Sequence, residues 1–354
     1  MRLQKLSIGV SIAFSISFIV RRIKNVRNYK ISQSLCSDNK LSSIVNKINN
    51  ENISIPAKPS KIQPPKPVYT RQSYTYSYDE NDTFYYDVLL AQNSSKPAVV
   101  IVPFICGHSK SSCIRRLAQQ FYENGNSVYV LLPRGSLDTK LSLQQKKLRY
   151  EGIDSEDLNE LVGLIPNQSV ILAGYSLGAL NTCHYMSKNS DFISNRNKVV
   201  KAIMCFVEFD DKYALQIPAR VQRYLGKPIV SYVTQNREYF NKHGIALNAI
   251  DKITSTSTIY QYDQEITCKI RNHQSPAEYY EWIFTDVLQF KNLKVPSLFV
   301  QTEDDVITGS FVPYDQMKGN ENINVVVFNR GNHLGTVTSD GKDLVSRVVQ
   351  EWCE

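Results

Sequence analysis

An α/β fold with a mostly parallel central sheet, helices on both faces and an inserted cap is predicted by three observations. Continuous apolar runs alternate with stretches of helical spacing. A Gly-x-Ser-x-Gly sequence stands where one such run meets a helical pattern, and a long segment holding Tyr and Arg interrupts the alternation late in the chain. The apolar runs are Pro97 to Ile105, Ser127 to Leu132, Ser169 to Tyr175, Val199 to Val207, Val295 to Gln301 and Ile323 to Phe328. Ser109 to Tyr122 and Asp154 to Leu164 carry helical spacing between the first three, and strand, helix, strand in that order builds parallel pairs. A closing helix is expected from about Ser339 to Trp352. Before the first apolar run, Tyr74, Tyr76 and Tyr78 alternate with polar residues, Asp79 to Asp82 supply turn chemistry and Thr83 to Leu90 is rich in β-formers, so a hairpin opens the domain.

A chain of 354 residues holds one large α/β domain with additions, or two ordinary domains. Its formal net charge of +8 is concentrated before residue 70 and lacks the interleaved basic and aromatic residues of a nucleic-acid surface, which argues against a nucleic-acid partner. The seven cysteines, at positions 36, 106, 113, 183, 205, 268 and 353, are scattered and never form Cys-x-x-Cys. Neither a disulfide framework nor a zinc site is suggested, and no metal or cofactor is expected. Several cysteines sit inside apolar runs as buried thiols, which favours a reducing compartment.

Leu6 to Val20 is uncharged and mostly apolar, between Arg2 and Lys5 on one side and Arg21, Arg22, Lys24, Arg27 and Lys30 on the other. As a helix it spans roughly 22 Å, which reaches across a hydrocarbon core when Lys5 and Arg21 snorkel. No small-residue cleavage pattern follows, so residues 1–30 read as an uncleaved membrane anchor with a basic flank. The heavier basic flank lies after the segment, which leaves the body of the protein in the cytosol, with the endoplasmic reticulum a membrane compatible with this topology. Residues 31–70 carry Asn, Ser and Lys and then five prolines from Pro56 to Pro67, and read as an extended linker. The main domain is then 71–354, with the cap at about 211–285.

The chemistry is organised around Gly174, Ser176 and Gly178. An apolar strand, a tight turn and the start of a helix are the setting of a nucleophile elbow, in which the glycines let the backbone pass close to strand and helix and lift the serine hydroxyl off the sheet edge. Two later strand ends supply partners. Thr302, Glu303, Asp304 and Asp305 follow one strand, and Gly331 to Gly335, holding His333, follow the next. The order Ser176, Asp305, His333 is that of α/β-hydrolases: His333 takes the serine proton, and the carboxylate fixes its tautomer. Asp305 is preferred to Asp304 because the site lies beyond the strand end. The amide after the nucleophile, Leu177, is the second oxyanion donor.

These residues resemble the α/β-hydrolase branch that holds the YheT-type hydrolases, the plant embryogenesis-associated hydrolases and some animal abhydrolase-domain proteins. The likeness includes Pro103 to Ser109 as the oxyanion turn, Pro133-Arg134-Gly135, Phe209-Asp210, Gln274 to Tyr280, and Gly331 to Gly335 as the Gly-Gly-His-x-Gly loop. It covers residues 71 to 354 and implies Ile105 as the first oxyanion amide. It also implies a serine hydrolase of carboxylic esters acting on acyl lipids, phospholipid or acylglycerol, and the animal branch too has an N-terminal membrane segment. Phe104 stands where that family has Gly, Val306 where it has Pro and Asn332 where it has Gly. Those departures keep a second reading open, a catalytically weak scaffold that binds a lipid or protein partner. A third is a transacylase using the same triad. Within the cap, Ser275-Pro276-Ala277-Glu278 is a capping-box sequence that starts a helix.

Overall fold

The apolar runs become strands buried on both faces, as parallel sheets require. In a computed structural model, residues 30–51, 53, 66–92, 95–139, 141–188, 194–209, 217–254, 256–309 and 311–354 are described. In chain order the strands are β1 (Ile31–Leu35), β2 (Thr70–Thr75), β3 (Thr83–Leu89), β4 (Ala98–Val102), β5 (Val128–Leu131), β6 (Val170–Tyr175), β7 (Val199–Cys205), β8 (Ser297–Thr302) and β9 (Ile323–Phe328). Among the described residues they form one sheet in the order β1-β9-β8-β7-β6-β4-β5-β3-β2. The stretch from β5 through β4, β6, β7 and β8 to β9 is parallel, and β2, β3 and β1 add antiparallel pairs at the two edges.

Period-two alternation sorts the side chains to two cores. Val100, Leu172 and Met204 face α3 (Glu156–Leu164) and α4 (Leu177–Ser187) on one side. Val99, Ile101 and Ile203 face α1 (Asn39–Asn50), α2 (Ser112–Glu123) and α7 (Leu344–Cys353) on the other. The insertion between β7 and β8 contains α5 (Ala219–Gln235), several short helices and α6 (Pro276–Trp282). It buries an apolar cluster of its own, with Ile229, Tyr232, Phe240 and Ile250 packed around Tyr150 of the main domain. Ser275 caps α6 by accepting the Glu278 amide, whereas Glu278 reaches back to the Gln274 amide, so only the serine half of the expected capping box forms. All seven cysteines are free, and Cys113, Cys183, Cys205 and Cys268 are buried.

One expectation is overturned. Residues 31–50 are not a tether: β1 pairs antiparallel with β9, and α1 buries Leu41, Ile44, Val45 and Ile48 in the same core as Trp352. The Trp352 indole donates to Asp38, and Arg347 forms a forked pair with Glu51 at 2.6 Å for both bonds. The physical reason is the free edge of β9, whose unpaired backbone groups a strand can satisfy. Proline-bearing residues 54–65 and the apolar segment Leu6 to Val20 lie outside the described residues. Among the described residues no helix is long and apolar enough to cross a membrane.

If 31–50 is part of the domain core, Leu41→Ala lowers the unfolding free energy by about 2–5 kcal/mol in a denaturant titration, because Leu41 is fully buried. A loss below about 0.5 kcal/mol would mean that the segment contributes nothing to the fold.

Candidate active site

Strand order creates the crevice. The chain leaves β4 for β5 on one side and returns to β6 on the other, so the carboxyl ends of β4 and β6 flank a topological switch point, where α/β sheets open to ligands. Ser176 follows β6 there, at positive φ, with φ 52° and ψ −116°. Few non-glycine residues adopt positive φ, and here the surrounding packing leaves no alternative path. A Cβ on Gly174 would stand 2.2 Å from the Gly178 carbonyl oxygen, and one on Gly178 would stand 2.0 Å from that of Val102. Both glycines are therefore demanded by backbone proximity, and the Ser176 amide is fixed by donating to the Cys205 carbonyl at 2.9 Å.

The expected partners converge on this serine. His333 Nε2 lies 2.8 Å from Ser176 Oγ, and His333 Nδ1 lies 2.8 Å from Asp305 Oδ2. Because an ionised carboxylate only accepts, the proton sits on Nδ1 and leaves Nε2 to accept the serine hydroxyl proton. Asp305 is 3 % exposed. Its Oδ2 also accepts from Thr308 Oγ1 at 2.7 Å, and its Oδ1 accepts the Ile307 amide at 2.8 Å. Burial works to raise its proton affinity, but the His333 charge and these hydrogen bonds outweigh it and hold the carboxyl below the usual carboxylate range. Asp304 lines the cavity, whereas Asp305 carries the carboxylate that bonds His333 Nδ1, which separates the two acids. Thr308 was not singled out from the sequence, since a threonine in a loop carries no signal until its partner is known.

The loop that carries His333 is closed by backbone bonds in both directions between Asn332 and Gly335, at 3.1 and 3.3 Å. The Asn332 side chain accepts the Leu334 amide at 2.8 Å, so the residue that departs from the family's glycine tightens the loop. Phe104 is half-buried against the core at the turn after β4, and Val306 is 55 % exposed at the cavity rim. Leu177 is the first residue of α4, where an amide has no acceptor within the helix and meets the positive end of the helix dipole. Ile105 lies in the turn after β4 and lines the same cavity as Ser176, Leu177 and His333.

That cavity has a volume of about 1320 Å³ and is lined largely by apolar residues, among them Leu180, Ile217, Val221, Leu225, Ile259 and Ile283. Glu151 and Asp263 also line it, and burial pushes their carboxyls up to about 8 and about 6. Behind the site, Arg134 holds Asp157 at 2.6 Å and Asp82 at 2.7 Å, which fixes the loop that follows β5.

Strand order, elbow and the Ser176, His333, Asp305 geometry define an α/β-hydrolase fold. Among curated proteins the chain is similar to a monoacylglycerol lipase of Saccharomyces cerevisiae, 24 % identical over 273 residues, spanning 73 % of this chain and 58 % of that protein. It is similar to the human phospholipase ABHD3, 25 % identical over 271 residues, spanning 73 % and 61 %. Similarity extends to the embryogenesis-associated protein EMB8 of Picea glauca, 21 % identical over 278 residues, spanning 73 % and 58 %. The match thus spans about three-fifths of the length of these relatives. A looser likeness in structure is to the esterase Pf2001 of Pyrococcus furiosus, with a TM-score of 0.46 at 14 % identity, covering 86 % of this chain and 100 % of that one. No family model matches the chain.

The raised proton affinity of Glu151 sets the sign of a pH effect. A carboxyl that holds its proton more tightly when folded stabilises the fold fully below its unfolded range, and that stability is lost as pH rises towards about 8. Between pH 5 and pH 9 the thermal midpoint of the wild type therefore falls further than that of Glu151→Gln. Parallel pH curves for the two proteins would show that the folded carboxyl is not protonated.

Proposed function

We propose that this protein is a serine hydrolase that cleaves carboxylic esters of acyl lipids, monoacylglycerol or phospholipid, through an acyl-serine intermediate. The observation that carries this reading is the hydrogen-bonded chain from Ser176 Oγ through His333 to Asp305, opening onto a largely apolar cavity of about 1320 Å³. The lipase and phospholipase names of its relatives support the lipid substrate class. The size of this cavity and the apolar part of its lining suit an acyl chain.

In this mechanism His333 Nε2 accepts the Ser176 proton as Oγ attacks the ester carbonyl, and Asp305 stabilises the imidazolium that forms. The Leu177 and Ile105 amides face the charge that develops on the carbonyl oxygen. The imidazolium then gives its proton to the departing alcohol oxygen, leaving the acyl group on Ser176. Water, deprotonated by His333, attacks the acyl-serine, and the imidazolium returns that proton to Ser176 Oγ as the bond to the acyl carbon breaks and the fatty acid leaves. In the same reading Leu6 to Val20 anchors the protein in a membrane with the catalytic domain on the cytosolic side, supported by its apolar composition between basic flanks.

A fluorophosphonate probe labels the wild type and not Ser176→Ala, and Asp305→Asn lowers kcat on a monoacylglycerol by about 100- to 10,000-fold. An unlabelled wild type, beside a labelled control hydrolase, would overturn the reading. Adding acceptor alcohols and analysing products separates hydrolysis from transacylation. Alkaline washing of membranes retains the full chain and releases a chain beginning at residue 30; equal release of both would remove the anchor.

A further inference from the structure

The turn that carries the Ile105 amide has an unusual feature. Phe104 to Gly107 form a tight turn closed by the Gly107 amide donating to the Phe104 carbonyl at 2.7 Å. Its third residue, Cys106, has φ 55°. A turn with positive φ at that position is ordinarily built with glycine, because an L-side chain there crowds the backbone. Flipping the peptide between Ile105 and Cys106 would convert the turn to the common form and relieve Cys106. What opposes the flip is Glu151: its Oε1 accepts the Cys106 amide proton.

Glu151 is suited to this task. It is 5 % exposed, and it lies beside the Cys106 thiol on the turn, Tyr232 on α5 and Tyr262 at the end of the short cap helix Ile259–Tyr262, both tyrosines buried. Burial keeps the Glu151 carboxyl an acid at neutral pH, so it can accept the amide proton without adding a full negative charge beside a developing oxyanion. The Glu151 amide in turn donates to Tyr232 Oη at 2.9 Å, and the Arg149 amide donates to Tyr239 Oη at 2.7 Å, which ties the same loop to the cap.

We propose that Glu151 is a positioning residue of the hydrolytic site: by accepting the Cys106 amide hydrogen it pins the Ile105–Cys106 peptide, and so the form of the 104–107 turn that presents the Ile105 amide to the ester carbonyl oxygen, and it links that turn to the cap through Tyr232. The inference rests on the hydrolase reading above. Its substitution pattern is specific. Glu151→Gln keeps an accepting Oε1 and retains kcat on p-nitrophenyl butyrate within about threefold. Glu151→Leu loses about 100-fold in kcat, the scale of one lost oxyanion donor, with KM changed by less than about threefold. Adding Cys106→Gly to Glu151→Leu restores at least about tenfold, because glycine holds positive φ without a pin.

Amide hydrogen exchange over residues 103–109 reads the pin independently of turnover. Exchange at Cys106 speeds up in Glu151→Leu and stays at the wild-type rate in Glu151→Gln. Equal exchange in all three proteins, wild-type kcat in Glu151→Leu, or a KM effect alone would overturn the proposal. A wild type that fails to turn over, or an active Ser176→Ala, would instead overturn the hydrolase reading and leave the exchange result to decide the pin.

Discussion

The near-contact between the first turn of α4 and the end of β4 is the constraint on which the rest of the site depends. Gly178 passes so close to the Val102 carbonyl that no side chain fits, and Gly174 is pressed against the same turn. Together they force β6 to end in a sharp corner, and the corner forces Ser176 to positive φ. The strain is local, but the means of holding it are not: buried strands on both sides and the Cys205 carbonyl over-determine the corner. A serine on a relaxed loop would sample many positions, whereas this one has a single direction in which to present its hydroxyl.

The other groups reach that hydroxyl because parallel strands end on one side of the sheet. Asp305 follows β8 and His333 follows β9, each in a short loop closed by its own hydrogen bonds, Thr308 and Ile307 to Asp305 and Asn332 to Gly335. Preorganisation of this kind moves the entropic cost of assembling three side chains into the folding of the domain. The cap then supplies what the sheet cannot, an apolar wall and a roof with its own packed cluster.

How much of this was legible in the sequence differs by residue and for physical reasons. Ser176 and its glycines could be read because the elbow is local: five residues, one steric problem, one solution. Asp305 and His333 could be read because each follows an apolar run that can only be a strand. By contrast, β1 holds only two apolar residues in five, and its pairing exists because β9 offers an open edge far along the chain. The spacing of Leu41, Ile44, Val45 and Ile48 does follow a helical face, yet over so few turns in an Asn- and Ser-rich stretch it is outweighed by composition. Glu151 left no trace, since a glutamate in a polar loop looks solvated until its distant partner at Cys106 is in place. Asn332 stood out as a departure and proved to be a brace.

The pairing of β1 with β9 also decides where the chain enters the domain. Ile31 lies opposite Phe328, and Lys30 and Asn329 exchange two hydrogen bonds at 3.0 and 2.9 Å, just ahead of the loop that carries His333. The described chain therefore enters the domain at the catalytic rim, with Lys30 beside the end of β9. A one-strand register thus decides on which side of the sheet residue 30 stands: the side to which the parallel strands point their carboxyl ends and on which the cavity opens.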